Sequence, residues 1–363
     1  MRYRFGHRGT TLSVERIALS VLLSIILVPA AGQAQTRNTG FQFGILGDTP
    51  YTRVQEPEYR RVLDALNRAD LAFVVHIGDF EQDARRYDAT LHSMPCVDEN
   101  FKTILDSFQS SRHPFIFTPG DNDWTDCHFL QAPKVDPLDA LAKVRSMFFP
   151  EGRSLGQRTI SVTSQARDPQ HAKFRENLRW SMGGVTFASL HIVGSNDNFG
   201  RTPEMDAEHA ERKAANIAWL KQAIAQAKSD RSLGLVLMTQ ANFIFEKHWS
   251  GDRRRLFLTY SGAGPATSPV PTGHDDYVKA LAEEMENYDK PTVIIHGDSH
   301  IFRVDKPLIS AKTGRSFENF TRVETFGAPD SHWVRVIVDP SDAQLFTFKP
   351  EIVSGNIVNR RPK

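Results

Sequence analysis

The sequence predicts an α/β fold in which helices cover a mainly parallel sheet that carries additional antiparallel strands. Short apolar segments typical of strands alternate along the chain with segments of helical periodicity. A Gly183-Gly184 pair joins two strand-like segments in the manner of a hairpin turn. Four of the apolar segments run into a Gly-Asp pair. Hydrophobic residues make up 40% of the chain and charged residues 24%, so the chain can bury the core that such a fold requires.

Each element follows from its local pattern, because strands favour short apolar runs and helices repeat apolar residues every three to four positions. The predicted strands cover residues 41–46, 71–77, 114–118, 158–163, 179–182, 185–193, 233–239 and 292–296, followed by a strand-rich tail to residue 348. The predicted helices cover residues 56–68, 98–110, 139–148, 204–227 and 275–287. Residues 194–198 are expected to form a loop at the rim of a cleft.

The first 34 residues are predicted to be a signal peptide rather than part of the fold. Several arginines precede an apolar run, residues 17–29, which is too short to span a bilayer comfortably. Gly32-Gln33-Ala34 fits a signal-peptidase site, and no long linker divides the chain after residue 40. We therefore expect cleavage near Gln35, one domain over residues 35–363, and a periplasmic or secreted protein with no stable membrane anchor. An uncleaved N-terminal anchor is the alternative.

The charge balance points to a local functional site. Lys and Arg number 44 and Asp and Glu 43, a formal charge of +1, which gives no broad field for nucleic acid or a membrane. The chain has two cysteines, Cys96 and Cys127. In an oxidising compartment such a pair is more often a disulfide than a metal site. Two separate buried thiols are the alternative.

The four strand-end pairs place an aspartate directly after a glycine, at Asp48, Asp79, Asp121 and Asp298. Residues just past the carboxyl ends of parallel strands face one crevice, and glycine lets the backbone turn tightly there. Four converging carboxylates repel one another unless a cation neutralises them. His300, two residues beyond the fourth aspartate, adds an imidazole to the same region. The pattern therefore predicts a metal site.

The order of these motifs resembles that of the calcineurin-like metallophosphoesterases, and it is distantly similar to that of the purple acid phosphatases. The matching segments begin at Gly47, Gly78, Gly120, Thr239 and His296 and read GDTPY, GDFEQD, GDND, TQAN and HGDSH. The resemblance implies a four-layer α-β-β-α sandwich with mixed sheets. It also implies hydrolysis of a small phosphomonoester or phosphodiester by a metal-bound hydroxide.

Carried over position by position, the resemblance implies a ligand set for two divalent ions. Asp48 and His300 would bind the first ion, and Asp79 would bridge both. Asp121, together with Gln240 and Asp298, would bind the second ion.

This sequence departs from the family pattern at four histidine positions. Pro50, Asn122, Gln240 and Asp298 stand where the family has histidines. Oxygen-rich ligation of this kind favours Mn²⁺, Mg²⁺ or Ca²⁺ over Zn²⁺ or Fe.

The catalytic histidine of the family is replaced by Asn122, so another group would have to transfer the proton. The candidates for this role are His248, His296, His128 and His332, beside Asn122 itself, and His248 is favoured because its loop should approach the cleft. Tyr51 either contacts metal or has a solvated, capping role. Two alternatives to the hydrolase remain: a catalytically degenerate member that serves as an exported binding or scaffolding module, and a glycosidase with an acidic pair.

Overall fold

The computed structural model describes Met1 and residues 40–249 and 272–357. The contacts of the chain divide it between Arg37 and Asn38, and residues 40–249 and 272–357 belong to the second unit. The predicted signal peptide, apart from Met1, lies outside the described residues. None of the described helices has the length and hydropathy needed to cross a membrane.

The described residues form twelve strands and five α-helices of at least eight residues. The strands are β1 Phe41–Leu46, β2 Val74–His76, β3 Phe115–Phe117, β4 Thr163–Ser164, β5 Leu178–Met182, β6 Val185–Ser189, β7 Gly234–Met238, β8 Thr292–His296, β9 Arg303–Asp305, β10 Phe320–Glu324, β11 Trp333–Val338 and β12 Phe346–Glu351. The helices are α1 Glu56–Arg68, α2 Asp98–Gln109, α3 Pro137–Phe148, α4 Pro203–Ser229 and α5 Asp275–Met285.

The strands form two mixed sheets, as the resemblance implies, with parallel strands and the additional antiparallel strands that the sequence predicts. The first has the order β12-β11-β1-β2-β3 and the second β4-β5-β6-β7-β8-β10-β9. Strands β1, β2 and β3 are parallel, as are β6, β7, β8 and β10. The remaining pairs are antiparallel and lie toward the sheet edges. The parallel strands thus direct their carboxyl ends to common edges, as a strand-end site requires.

The two sheets pack face to face, and helices cover their outer faces. Phe43 of β1 meets Phe187 of β6 edge-on, with ring centroids 5.6 Å apart. Alternation along β7 divides its side chains, since Val236 joins the core between the sheets and Leu235 joins the core under α4 and α5. On the opposite side, Phe108 of α2 stacks on Phe115 of β3. The four-layer α-β-β-α sandwich with mixed sheets is thereby confirmed.

Most predicted elements are present, and the principal exception is the strand predicted at residues 158–163. There the backbone pairs with the preceding loop instead, through Ser154 N–H to Ile160 O at 3.0 Å and Val162 N–H to Gly152 O at 3.0 Å. Only Thr163–Ser164 enters the sheet. The predicted hairpin is confirmed, because Met182 pairs with Val185 and the two glycines between them have φ of 55° and 78°.

The predicted disulfide between Cys96 and Cys127 is confirmed. The two Cα atoms lie 5.9 Å apart, across a sequence separation of 31 residues. The bond joins the segment that follows the second Gly-Asp motif to the segment that follows the third. It packs in a small core with Trp124 and Leu141.

Candidate metal centre

The four predicted aspartates follow the carboxyl ends of β1, β2, β3 and β8, and the structure brings them together. The backbone N–H of Asp298 donates to Asp48 Oδ1 at 3.0 Å, which joins the ends of strands from the two sheets. Asp48, Asp79 and Asp121 are buried. The sequence prediction that these aspartates share one crevice is therefore correct in its geometry.

The four aspartates lie close together, and the protein groups around them do not fully compensate the negative charge of their carboxylates. Burial, and then the neighbouring carboxylates, raise the pKa of Asp79 well above its ordinary value, and Asp48 shows the same direction. Burial and the charge of Asp121 raise the pKa of Asp298 to about 8. A cation would relieve both the burial cost and the repulsion.

The side of the cluster at Asp48 and His300 fits a metal ion. Asp48 Oδ2 is buried and accepts no hydrogen bond from the described residues. His300 Nδ1 lies 2.6 Å from the carbonyl oxygen of Ala328, so this nitrogen carries the hydrogen that donates. The lone pair of Nε2 then faces the cluster, with Nε2 3.7 Å from Asp48 Oδ1. A backbone partner on one ring nitrogen is the usual arrangement of a metal-binding histidine.

Gln240 lies within the cluster, but its orientation differs from the one a metal ligand needs. Its amide Nε2 donates to Asp79 Oδ2 at 3.1 Å and to Asp121 Oδ1 at 3.2 Å. Its Oε1 faces the other way and accepts from Gly194 N–H at 2.7 Å. The amide nitrogen, rather than the predicted oxygen ligand, therefore meets the carboxylates.

The predicted ligands are more widely spaced than the donors of a preformed compact site. Within residues 40–249 and 272–357, the only three His, Cys, Asp or Glu donors within 4.8 Å of one another belong to Glu81, Cys96 and Cys127. The two sulfurs of that group form the disulfide, so it is not a metal site. Around the aspartates, donors from Tyr51 and Gln240 stand between the carboxylates.

Tyr51 is a functional candidate that sequence reasoning left undecided. Its hydroxyl lies 3.2 Å from Asp79 Oδ2 and 3.2 Å from His300 Nε2, so the phenol is inside the cluster. The signal in the sequence is its position three residues after Asp48, in GDTPY. On its outer side, Tyr51 borders a cavity of about 550 Å³ between α1 and α2.

Asn122 supports the cluster through its backbone rather than through its side chain. The backbone N–H donates to Asp79 Oδ1 at 3.0 Å, whereas the side-chain Nδ2 donates to the carbonyl oxygen of Glu81 at 3.0 Å. Next to it, the Asp123 carboxylate accepts from the backbone N–H groups of Asp79, Phe80 and Gly120. This pair of residues fixes the loops that carry Asp79 and Asp121.

Two of the candidate catalytic histidines lie away from the open part of the cluster. His296 is buried and 1% exposed, and burial lowers its pKa to about 3, so it is a neutral ring within the fold. His248 Nε2 lies 3.6 Å from Asp275 Oδ1 and borders a separate cavity whose lining includes none of the four aspartates. These positions favour packing or surface roles over the predicted proton transfer.

The loop predicted at residues 194–198 forms a left-handed turn against the cluster. Ser195, Asn196, Asp197 and Asn198 all have positive φ, between 46° and 66°. A Cβ added to Gly194 would lie 2.7 Å from both Asp121 Oδ2 and Asp298 Oδ1. The backbone of Gly194 therefore fills the space beside these two carboxylates, which sequence reasoning did not anticipate.

The fold has the architecture that the motif resemblance implied, a four-layer α-β-β-α sandwich with two mixed sheets, and the aspartates lie at the ends of its strands. No family model matches the sequence, and no curated protein matches it. Among solved structures, PhoD is similar with a TM-score of 0.47 and 12% identity, over 83% of this chain and 64% of that one. A 5′-nucleotidase from Candida albicans SC5314 is similar with a TM-score of 0.37 and 11% identity, over 86% and 51%. The chain spans less than two thirds of the length of either.

Proposed function

We propose that the protein is a metal-dependent hydrolase of phosphate esters. The observation that carries the proposal is the buried, unpartnered Oδ2 of Asp48, in a cluster of carboxylates beside His300, whose Nε2 lies 3.7 Å from Asp48 Oδ1. A buried carboxylate oxygen without a donor is costly unless a cation binds it. The donor set is mainly oxygen, which favours Mn²⁺, Mg²⁺ or Ca²⁺.

Different residues would hold the ion, orient its histidine ligand and contact the phosphoryl group. Asp48, Asp79 and His300 would hold the ion, with the carbonyl oxygen of Ala328 orienting the imidazole. A divalent cation there would neutralise phosphoryl oxygens and make a water molecule acidic enough to react. The hydroxyl of Tyr51 donates to Asp79 Oδ2 at 3.2 Å, and it would be available to donate to a bound phosphoryl group when the ion takes that carboxylate.

The substrate would be a small monoester or diester whose organic part enters the cavity beside Tyr51. That cavity also has Arg53 and Arg60 in its lining, together with the apolar side chain of Leu63. Its volume, about 550 Å³, lies within the range of small-molecule sites. Glu56, Asp64 and Glu81 also line this cavity, so an uncharged, hydrogen-bonding organic group would suit it.

We further propose that residues 35–363 form one exported domain. The disulfide supports this proposal, since such bonds persist in oxidising compartments. Edman sequencing of the protein purified from the periplasm of an expressing bacterium tests it. A mature protein that begins near Gln35 is expected, and retention of Met1 would contradict cleavage.

The decisive experiment combines metal analysis with an assay. The purified mature protein is analysed for bound metal and assayed with mono- and bis-p-nitrophenyl phosphate in the presence of Mn²⁺, Mg²⁺, Ca²⁺ or Zn²⁺. Asp79→Ala is expected to abolish turnover, and Asp106→Ala, on the exposed surface of α2, is the matched control. A protein that binds no ion and turns over neither ester would overturn the proposal.

A second candidate function is an exported binding module that keeps the site without catalysis. The Asn122 side chain favours it, because this residue replaces the family's catalytic histidine and its amide is hydrogen-bonded to Glu81 O. Titration calorimetry with phosphate in the presence of Mn²⁺ separates the two functions. Binding without turnover of either ester would favour the module.

A further inference from the structure

We infer that the aspartate cluster is a single-ion centre, in which the carboxamide of Gln240 takes the place of a second cation between Asp79 and Asp121. The inference rests on the proposed metal-dependent function, and it specifies how many ions that site holds. It also assigns Gln240 the role of a positioning residue rather than that of a ligand.

The hydrogen bonds of Gln240 fix which end of its amide faces the carboxylates. The side chain is fully buried, and both hydrogens of Nε2 have carboxylate acceptors, Asp79 Oδ2 and Asp121 Oδ1. Oε1 accepts from the backbone N–H of Gly194 at 2.7 Å. In the reverse orientation, Oε1 would face two carboxylates and Nε2 would face another N–H donor. Binding an ion through Oε1 would therefore break three hydrogen bonds in a buried place.

The donor from Gly194 is held in place by a buried network behind it. Asp197 Oδ1 accepts from Val193 N–H at 3.1 Å, and Asp197 Oδ2 accepts from the hydroxyl of Tyr277 at 3.0 Å. Arg212 is fully buried and donates to both the side chain and the backbone carbonyl of Asp197. The turn that presents Gly194 N–H to Gln240 is thus held by Arg212 of α4 and Tyr277 of α5. The fold therefore places a fixed N–H donor opposite Gln240 Oε1.

Space on this side of the cluster is also taken. A single added carbon on Gly194 would lie 2.7 Å from Asp121 Oδ2 and from Asp298 Oδ1, so the Gly194 backbone packs directly against both carboxylates. The Asp298 Oδ2 atom has its own partner, the backbone N–H of Asn242 at 2.9 Å. Two of the carboxylates are thereby supported by neutral protein donors.

On the opposite side of the cluster, at Asp48, a carboxylate oxygen lacks a protein donor within the described part of the chain. Asp48 Oδ2 has no donor among the described residues, and the unprotonated Nε2 of His300 lies 3.7 Å from the other oxygen of this carboxylate, Oδ1. Asp79 borders this side through the hydroxyl of Tyr51, 3.2 Å from Oδ2. The need for a cation is therefore concentrated at Asp48 Oδ2, and one ion that draws the donors of Asp48, Asp79 and His300 together would satisfy it.

The test counts bound ions. The mature protein is saturated with Mn²⁺, freed of unbound ion, and analysed by plasma mass spectrometry, with titration calorimetry as a second measure. The wild type is expected to bind one ion per chain, Asp48→Asn none, and Asp121→Asn still one. Gln240→His replaces the donor amide by an imidazole and is expected to bind two ions. Gln226→His, on the surface of α4, is the matched control and is expected to bind one.

Each result has a distinct meaning. Two ions in the wild type, reduced to one by Asp121→Asn, would overturn the single-ion centre while leaving the phosphoesterase proposal intact. One ion with no turnover of any ester would support the single-ion centre and overturn the phosphoesterase. No ion in the wild type would overturn both. The wild-type and Asp121→Asn counts decide the question even if Gln240→His fails to fold.

Discussion

At the scale of single residues, the candidate site depends on unusual backbone conformations. Asp48, Asp79, Asp298 and His300 have φ of 50°, 55°, 75° and 62°, in the left-handed region that non-glycine residues rarely adopt. Such strain persists where the surrounding structure enforces it, and it is concentrated at functional sites. The sequence analysis expected glycine to supply the tight turns. At Gly297 the requirement is space, because a Cβ there would lie 2.0 Å from Asp48 Oδ2.

Gly297→Ala is therefore expected to weaken Mn²⁺ binding by about 10–100-fold, because the new methyl group displaces the buried Asp48 carboxylate. Titration calorimetry measures the change. Gly314→Ala is a control, since a Cβ there meets nothing within 4 Å, although its φ of +69° adds backbone strain. Equal affinity in Gly297→Ala and the wild type would show that Asp48 does not bind the ion.

At the scale of elements, the disulfide and Glu81 join the loops that follow β2 and β3. Glu81 Oε1 accepts from Cys96 N–H at 2.8 Å, and its backbone oxygen accepts from the Asn122 side chain at 3.0 Å. Cys127 follows in the short 3₁₀ helix Thr125–Phe129, just beyond Asp121. The covalent bond and these two hydrogen bonds thus hold the second and third motifs in one arrangement.

Replacing both cysteines by serine is expected to lower the free energy of unfolding by about 3 kcal/mol, because the unfolded chain regains the freedom of the closed loop. Urea denaturation of the variant measures the loss. Wild-type protein treated with a reductant should show a similar decrease, which provides the control. An unchanged denaturation midpoint in both samples would contradict this account of the bond.

At this scale, an element is predicted correctly where its own residues determine it, and the prediction fails where partners elsewhere in the chain decide. Phe41–Leu46, Glu56–Arg68 and Thr292–His296 have the bounds that the sequence predicts, because apolar pattern and helix-end residues set them locally. The segment at 158–163 has the same kind of pattern. Its backbone hydrogen bonds go to the loop at residues 152–154. Whether the segment pairs with this loop or with a strand of the sheet depends on residues outside the segment, so its own sequence does not predict the outcome.

At the scale of the whole molecule, a buried charge network links the layers. Glu176 accepts from Arg145 of α3 through Nε at 2.9 Å, and His191, just beyond β6, lies 2.9 Å away through Nδ1. Burial opposes ionisation of Glu176, but Arg145 and His191 outweigh it and lower its pKa to about 2. The Glu176 carboxylate therefore stays ionised in the folded protein at pH values well below those at which a glutamate side chain usually becomes protonated.

Because the pKa of Glu176 is lower in the folded protein than in the unfolded chain, this group stabilises the fold fully at pH values above 4.5, the unfolded-state pKa. The contribution is lost as the pH falls toward about 2. It amounts to roughly 3 kcal/mol at neutral pH. Glu176→Gln is expected to lose this stability at neutral pH, and its difference from the wild type should shrink as the pH decreases. Urea denaturation at several pH values measures both curves. Glu99→Gln, exposed on α2, is the control, and a difference independent of pH would contradict the assignment.

The sequence by itself determined the α/β alternation, the hairpin at Gly183-Gly184 and the four strand-end aspartates, because each depends on neighbours close along the chain. Tertiary structure decided which strands pair in each of the two sheets and that Tyr51 enters the cluster. It also decided which atom of Gln240 meets the carboxylates. The partners that orient this amide lie 46, 119 and 161 residues away, so only the folded chain brings them together.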